Sequence, residues 1–139
     1  MRKKYLVLLV MILSIIGFIS SAYLAWDHYQ VANGFLCDLG ESFGCDITKE
    51  SKYSEIFNIP VGIFGMFWFL VIAGLAMIER KYNITGIMLG WGIFGMIFVG
   101  YFVHGEYLLG AICPYCTIAH ASIILIFVAI LDFYRQRRR

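Results

Sequence analysis

Four side chains near the end of the chain could do chemistry together: Cys113 and Cys116 of Cys113-Pro114-Tyr115-Cys116, then Thr117 and His120. Two cysteines two residues apart can close a small disulfide and reopen it by thiol exchange. Pro114 suits the first position of a helix, where its missing N–H leaves nothing unsatisfied. Cys113 is then the N-cap and Cys116 lies in the first turn, where the positive end of the helix dipole favours a thiolate. The 113, 116, 117, 120 spacing predicts one helix face carrying two sulfurs, a hydroxyl and an imidazole. The motif alone equally fits a soluble thioredoxin-like or glutaredoxin-like protein, so its surroundings decide.

Those surroundings are apolar. The chain has 139 residues, is 61% hydrophobic and only 14% charged, with a mean hydropathy of +0.81. Soluble domains carry about 25% charged residues. The apolar residues fall into the segments Tyr5–Trp26, Pro60–Ile78, Ile84–Val103 and Tyr107–Leu131. Each approaches the roughly 20 residues a helix needs to cross a bilayer. Backbone groups in lipid must bond within their own helix. The expected fold is therefore an all-α membrane protein, a four-transmembrane-helix bundle, with residues 1–139 forming a single domain. Met1-Arg2-Lys3-Lys4 resembles the start of a signal peptide, but the apolar run after it exceeds the usual ~7–15 residues.

The basic residues set the orientation. Arg2, Lys3 and Lys4 precede the first segment, Arg80 and Lys81 lie between the second and third, and Arg135, Arg137, Arg138 and Arg139 follow the fourth. Of the basic residues, only Lys49 and Lys52 fall on the other side. This predicts a multi-pass protein of the cell (plasma) membrane, with both termini cytoplasmic and all four cysteines extracytoplasmic, where disulfides persist. The net charge of +2 is thus a topology signal. The arginine tail serves as a stop anchor that touches anionic membrane lipid. No aromatic-interleaved basic surface suggests a nucleic-acid partner.

Residues 30–59 form the long external loop. It holds Cys37 and Cys45, with Gly40 and Gly44 between them, so the segment can bend back and the two sulfurs can pair or part. Asp38, Glu41, Asp46, Glu50 and Glu55 keep the loop soluble. Within Ser51–Asn58, Tyr53, Ile56 and Phe57 follow a helical spacing, which predicts a short amphipathic helix lying flat on the membrane. Asp27 and His28 read as polar helix-end residues, and His104 and Glu106 as interfacial ones. His120 lies one turn below Cys116, nominally in hydrocarbon, where an ionisable side chain is either functional or bonded to a neighbouring backbone. Gly86-x-x-x-Gly90 has the spacing of a helix-dimer motif, but with the other glycines of the middle segments it is expected first to serve close packing inside the bundle. Phe64, Phe67, Trp68, Phe69, Trp91, Phe94 and Phe98 are expected mostly in the core or facing lipid, with a minority lining a ring-shaped cavity. No spacing for a metal site, a phosphate loop or haem attachment is present.

Two external cysteine pairs on a membrane bundle can form a relay. Cys37 and Cys45 would meet a soluble thiol protein. Cys113 and Cys116 would face a lipid-soluble two-electron acceptor, a quinone. Disulfide exchange moves two electrons, and each ~30 mV of potential difference drives it by about 1.4 kcal/mol. His120 could hydrogen-bond a quinone carbonyl. Two other classes fit the same sulfurs: four thiolates holding one zinc ion, or two permanent structural disulfides.

From helix one to helix four the sequence resembles the vitamin K epoxide reductase (VKOR) family. The resemblance rests on Cys37-Asp38-x-Gly40, Cys45, Ser51-Lys52-Tyr53-Ser54, Ile59-Pro60-x-Gly62-Ile63-Phe64-Gly65 and Cys113-x-x-Cys116. DsbB-type oxidases carry their Cys-x-x-Cys in the first external loop, whereas here it comes last. The resemblance implies a bundle around a quinone (menaquinone, ubiquinone or a vitamin K-like molecule). It implies that Cys116 contacts the quinone, that Cys113 exchanges with Cys45, and that Cys37 exchanges with the outside partner. It places His120, Ser51, Val61 and Phe64 at the quinone site. His120 matches the family's quinone-bonding position, a tyrosine in vertebrate members, and Val61 stands where vertebrate members have an asparagine. Some bacterial members carry a fused thioredoxin-like domain. None follows here, which implies a separate thioredoxin-like or DsbA-like partner. The implied activity is a thiol–quinone oxidoreductase supporting disulfide formation. The vertebrate activity on vitamin K quinone and epoxide would use the same groups.

Overall fold

The computed structural model describes residues 2–29, 52–110 and 112–139. Four helices carry the chain: α1 (Arg2–Tyr29), α2 (Val61–Glu79), α3 (Thr85–Leu109) and α4 (Pro114–Arg138). All four are long and apolar enough to cross a membrane. Their outward faces carry Ile15, Ile19, Leu70, Ile97, Leu125 and Val128, all substantially exposed. Aliphatic side chains on the outside of a bundle require lipid as solvent, as the hydropathy predicts.

The boundaries differ from the hydropathy segments. The third helix runs past Val103 to Leu109 and stops at Gly110, whose φ of 63° is left-handed. Glycine adopts that conformation without steric cost, which makes it the usual helix terminator. Tyr107–Leu109 therefore belong to α3, and the fourth helix begins at Pro114 rather than at Tyr107. Hydropathy registers where lipid can lie, but the hydrogen-bond ladder continues until a residue turns it.

The amphipathic helix expected over Ser51–Asn58 is replaced, over its described residues, by a small hairpin. Strand β1 (Glu55–Ile56) pairs antiparallel with β2 (Ile59–Pro60). Phe57 and Asn58 form the turn at φ 54° and 61°. Positive φ at both central residues is the geometry of tight hairpin turns, and asparagine tolerates it well. Phe57 is 92% exposed, so the predicted apolar face does not form. Val61 N–H donates to the Ser54 carbonyl at 3.0 Å and ties the hairpin to the first turn of α2.

At the opposite end, one carboxylate joins all four helices. Glu79, the last residue of α2, is fully buried. It accepts from Ile84 N–H at 2.7 Å and from the Thr85 hydroxyl at 2.9 Å, at the start of α3. Ile84 is the N-cap residue and has no side chain able to cap, so Glu79 supplies the negative charge that this helix end favours. Lys3 from α1 and Arg137 from α4 approach the same carboxylate at 3.7 and 3.9 Å. Both termini thus lie at one end of the bundle with the α2–α3 turn, as the charge alternation predicts.

Above this junction the bundle is solid, with Val10, Ile72, Ala76, Met88, Ile126 and Ile130 fully buried. Toward the other end, Gly62 brings α2 onto α1. A Cβ there would lie 2.6 Å from Ala25 N and from Ser21 O, both backbone atoms. Gly86 and Gly90 do not pack inside the bundle. A Cβ at either would meet nothing within 4 Å.

Gly62→Ala should destabilise the protein by about 1–3 kcal/mol, because rigid backbone must move. Gly74→Ala, with open space at its Cβ, should be neutral or slightly stabilising. Thermal unfolding in detergent would compare them. Glu79→Ala should cost on the order of 2–3 kcal/mol in the same assay, as it removes two hydrogen bonds to a charged acceptor.

Candidate functional site

The reactive motif is built by the start of α4. Cys113 is its N-cap residue, in extended conformation, and Pro114 follows at the first helical position. The Cys113 sulfur accepts from Cys116 N–H at 3.4 Å, the cap bond that serine or aspartate makes elsewhere. Thr117 donates its hydroxyl and its N–H to the Cys113 carbonyl, at 2.9 and 3.0 Å. It is exposed and points away from the cavity lining, so the predicted four-residue reactive face reduces to Cys116 and His120, with Thr117 bracing the cap. Tyr115 stacks on Tyr23 of α1 with ring centroids 4.3 Å apart and pins this first turn to the bundle. Cys113 and Cys116 are not joined to each other by a disulfide here.

The two sulfurs have different surroundings. Cys113 is fully buried, packed with Tyr23, Leu24, Tyr115 and Cys116. A hydrogen bond from the Cys116 side chain holds its thiol below the ordinary cysteine range. Burial opposes this, the Cys116 N–H adds to it, and the nearby Glu106 carboxylate opposes it. Cys116 instead borders a cavity of about 390 Å³ that takes walls from all four helices and the hairpin.

The cavity is mainly aromatic. Phe64, Phe67, Trp68, Phe69, Trp91, Phe94 and Phe98 all contribute to it, although only a minority were expected there. On α3 the rings run in series: Trp91 to Phe94 at 5.5 Å, Phe94 to Phe98 at 4.9 Å, Phe98 to Phe102 at 6.0 Å. The series ends where Phe102 stacks parallel to His120, at 6.2 Å and 12°. Trp68 and Trp91 each donate an indole N–H to the other's backbone carbonyl, both at 3.3 Å. This reciprocal pair ties α2 to α3.

Of the predicted quinone-site residues, the structure brings Val61, Phe64 and His120 to this one cavity beside Cys116. Cys37, Cys45 and Ser51 lie outside the described residues. Several lining residues were read from sequence as plain helix ends. Asp27 is buried and borders the cavity, and His28 bonds Glu55 of the hairpin through Nε2 at 2.8 Å. Tyr53 packs its ring on Tyr101 and over Gly105. Glu106 faces the cavity rather than an interface, while His104 stays exposed off its lining. Spacing could have placed Glu106 there. It follows Phe94, Phe98 and Phe102 at steps of four, so all four share one face of α3.

The size, ring lining and few polar groups suit a flat aromatic ligand whose oxygens need hydrogen bonds. A model of the vitamin K epoxide reductase family matches residues 8–131, nearly the whole chain. The chain belongs to the vitamin K epoxide reductase family. Comparisons with curated proteins and with solved structures give no significant match. Membership makes the chain a multi-pass membrane oxidoreductase of a generally quinone-linked kind.

The depressed Cys113 thiol gives a measurable signature. In reduced protein, the alkylation rate of Cys113 should rise with pH around a midpoint below the ~8.5 of free cysteine. Cys116→Ala removes the main cause and should move that midpoint upward. An unchanged midpoint in Cys116→Ala would contradict the assignment of cause.

Proposed function

We propose that this protein is a thiol–quinone oxidoreductase that reoxidises a separate extracytoplasmic thioredoxin-like or DsbA-like protein and so supports disulfide formation. The observation that carries this reading is the division of labour at the motif: Cys113 caps α4 and is sealed from solvent, while Cys116 faces the aromatic cavity. The distribution of basic residues supports an orientation with both termini in the cytoplasm and the motif outside.

The cavity residues fit a quinone. His120, held flat on Phe102, has a ring N–H to give to a carbonyl oxygen. Phe64 and the α3 rings offer faces for stacking, and Val61 adds apolar wall. A quinone supplies a sink for two electrons and two protons.

The chain's own groups perform the exchange. A soluble partner cannot touch a fully buried sulfur, so electrons must arrive through a pair carried by this chain. Cys37 receives them from the partner's dithiol, leaving Cys37 and Cys45 reduced. The Cys45 thiolate attacks the Cys113 sulfur of the Cys113–Cys116 disulfide. The Cys113–Cys116 bond breaks, a Cys45–Cys113 bond forms, and Cys116 leaves as a thiolate at the helix N-terminus, which favours that charge. Cys37 then attacks Cys45, which restores the loop disulfide and leaves Cys113 and Cys116 reduced beside the cavity.

Anaerobic quinol formation from a short-chain ubiquinone analogue, with a reduced thioredoxin-fold protein as donor, tests this. Cys113→Ser and Cys116→Ser should each lower the rate to background. Normal turnover by either variant would refute the reading.

A further inference from the structure

Glu106 places a carboxylic acid on the wall of an apolar cavity. Its Oε1 is buried and has no hydrogen-bond partner among the described residues. Such a group is costly unless it is neutral or waits for a partner. Glu79 shows the contrast: it is fully buried, and its carboxylate is bonded at the closed end of the bundle. Glu106 lies in the last turn of α3, close to the Gly110 break. It borders the same cavity as Cys116 and His120, and its charge acts on the Cys113 thiol. Among the described residues, the other ionisable groups on the cavity are Asp27 and His28 from α1, Tyr53 beside the hairpin, and Cys116 and His120 from α4; α2 contributes none. Asp27, Tyr53 and His28 have partners.

We propose that Glu106 is the proton carrier between the Cys116 thiol and the oxygen of a quinone held in this cavity. The proposal rests on the thiol–quinone reading above and names the residue that completes it. The exchange described above expels both sulfurs as thiolates and leaves two protons in water; Cys116 takes one of them up, and Cys113 stays a thiolate. The Cys113–Cys116 bond forms with loss of two electrons, which the quinone receives. The Cys116 proton passes to the Glu106 carboxylate and from it to one quinone oxygen. The other oxygen takes the second of those protons from water at the mouth. Glu106 ends as it began.

Glu106→Gln keeps the shape and the hydrogen-bonding ability but cannot carry a proton, and Glu106→Asp keeps the acid on a shorter arm. With the short-chain ubiquinone analogue, Glu106→Gln should slow quinol formation about 10²–10⁴-fold. Glu106→Asp should recover part of the loss. Reduction of the Cys113–Cys116 disulfide by the dithiol partner, measured without quinone, should stay within a factor of about two in both variants, which also shows that they fold. Infrared difference spectra of quinone-free protein, reduced minus oxidised, should contain a carboxyl C=O band that Glu106→Gln removes. Near-normal quinol formation by Glu106→Gln, or a carboxyl band that survives in it, would overturn the proposal. A wild-type protein that makes no quinol would instead overturn the reading beneath it, and this proposal with it.

Discussion

A hollow inside a membrane bundle survives only if its helices are held together somewhere else. Here the holding point is Glu79. One buried carboxylate caps α3, ends α2 and draws in Lys3 and Arg137 from the first and last helices. Burying a charge is costly, and the cost is offset because both oxygens have partners of suitable kind. Tight aliphatic packing continues from this junction through Ile72, Met88 and Ile126. The Trp68–Trp91 pair then links α2 and α3 at the level where the cavity opens. The molecule therefore has a solid end and a hollow end, and the chemistry-bearing residues collect at the hollow one.

At the hollow end the fold and the chemistry share atoms. The Cys113 sulfur is the N-cap acceptor of α4 and, in the proposed exchange, also the sulfur from which Cys116 departs or with which it pairs. A redox change at that sulfur is thus made where a helix begins, with the Tyr23–Tyr115 stack holding the turn in place. The hairpin closes the same end from the side. It is fastened by Val61 to Ser54, by His28 to Glu55, and by the Tyr53 ring over Gly105. Each fastening comes from a different helix, so the hairpin's position reports on the spacing of α1, α2 and α3.

Much of this was legible in the sequence, and the gaps have physical causes. Helix number, common placement of the termini, and the Cys113 cap with Pro114 behind it follow from hydropathy, charge and stereochemistry that act locally. The end of α3 did not follow, because the apolar composition continues unbroken across Gly110 while the backbone does not. The hairpin was misread as a helix because Tyr53, Ile56 and Phe57 fit a helical period, whereas the positive φ at Phe57 and Asn58 is invisible to a hydrophobic pattern. Rings such as Phe94 and Trp91 were assigned to core or lipid because an aromatic side chain in a membrane span suits either. Only the neighbouring helices decide that it borders a hollow. Glu106 reads as interfacial for a similar reason: its distance along the helix suggests a boundary, and only its face reveals the cavity.

The central claim is that the Cys113–Cys116 pair gives its electrons to a quinone lodged beside Cys116. The most direct measurement takes reduced wild-type protein in detergent, without air or any thiol partner, and adds an equimolar short-chain quinone. After an acid quench and denaturing alkylation, mass spectrometry counts the free thiols at each position. The account predicts that Cys113 and Cys116 lose their label together, in proportion to the quinol formed. If quinol appears while both remain fully labelled, or if no quinone is reduced at all, the account is wrong.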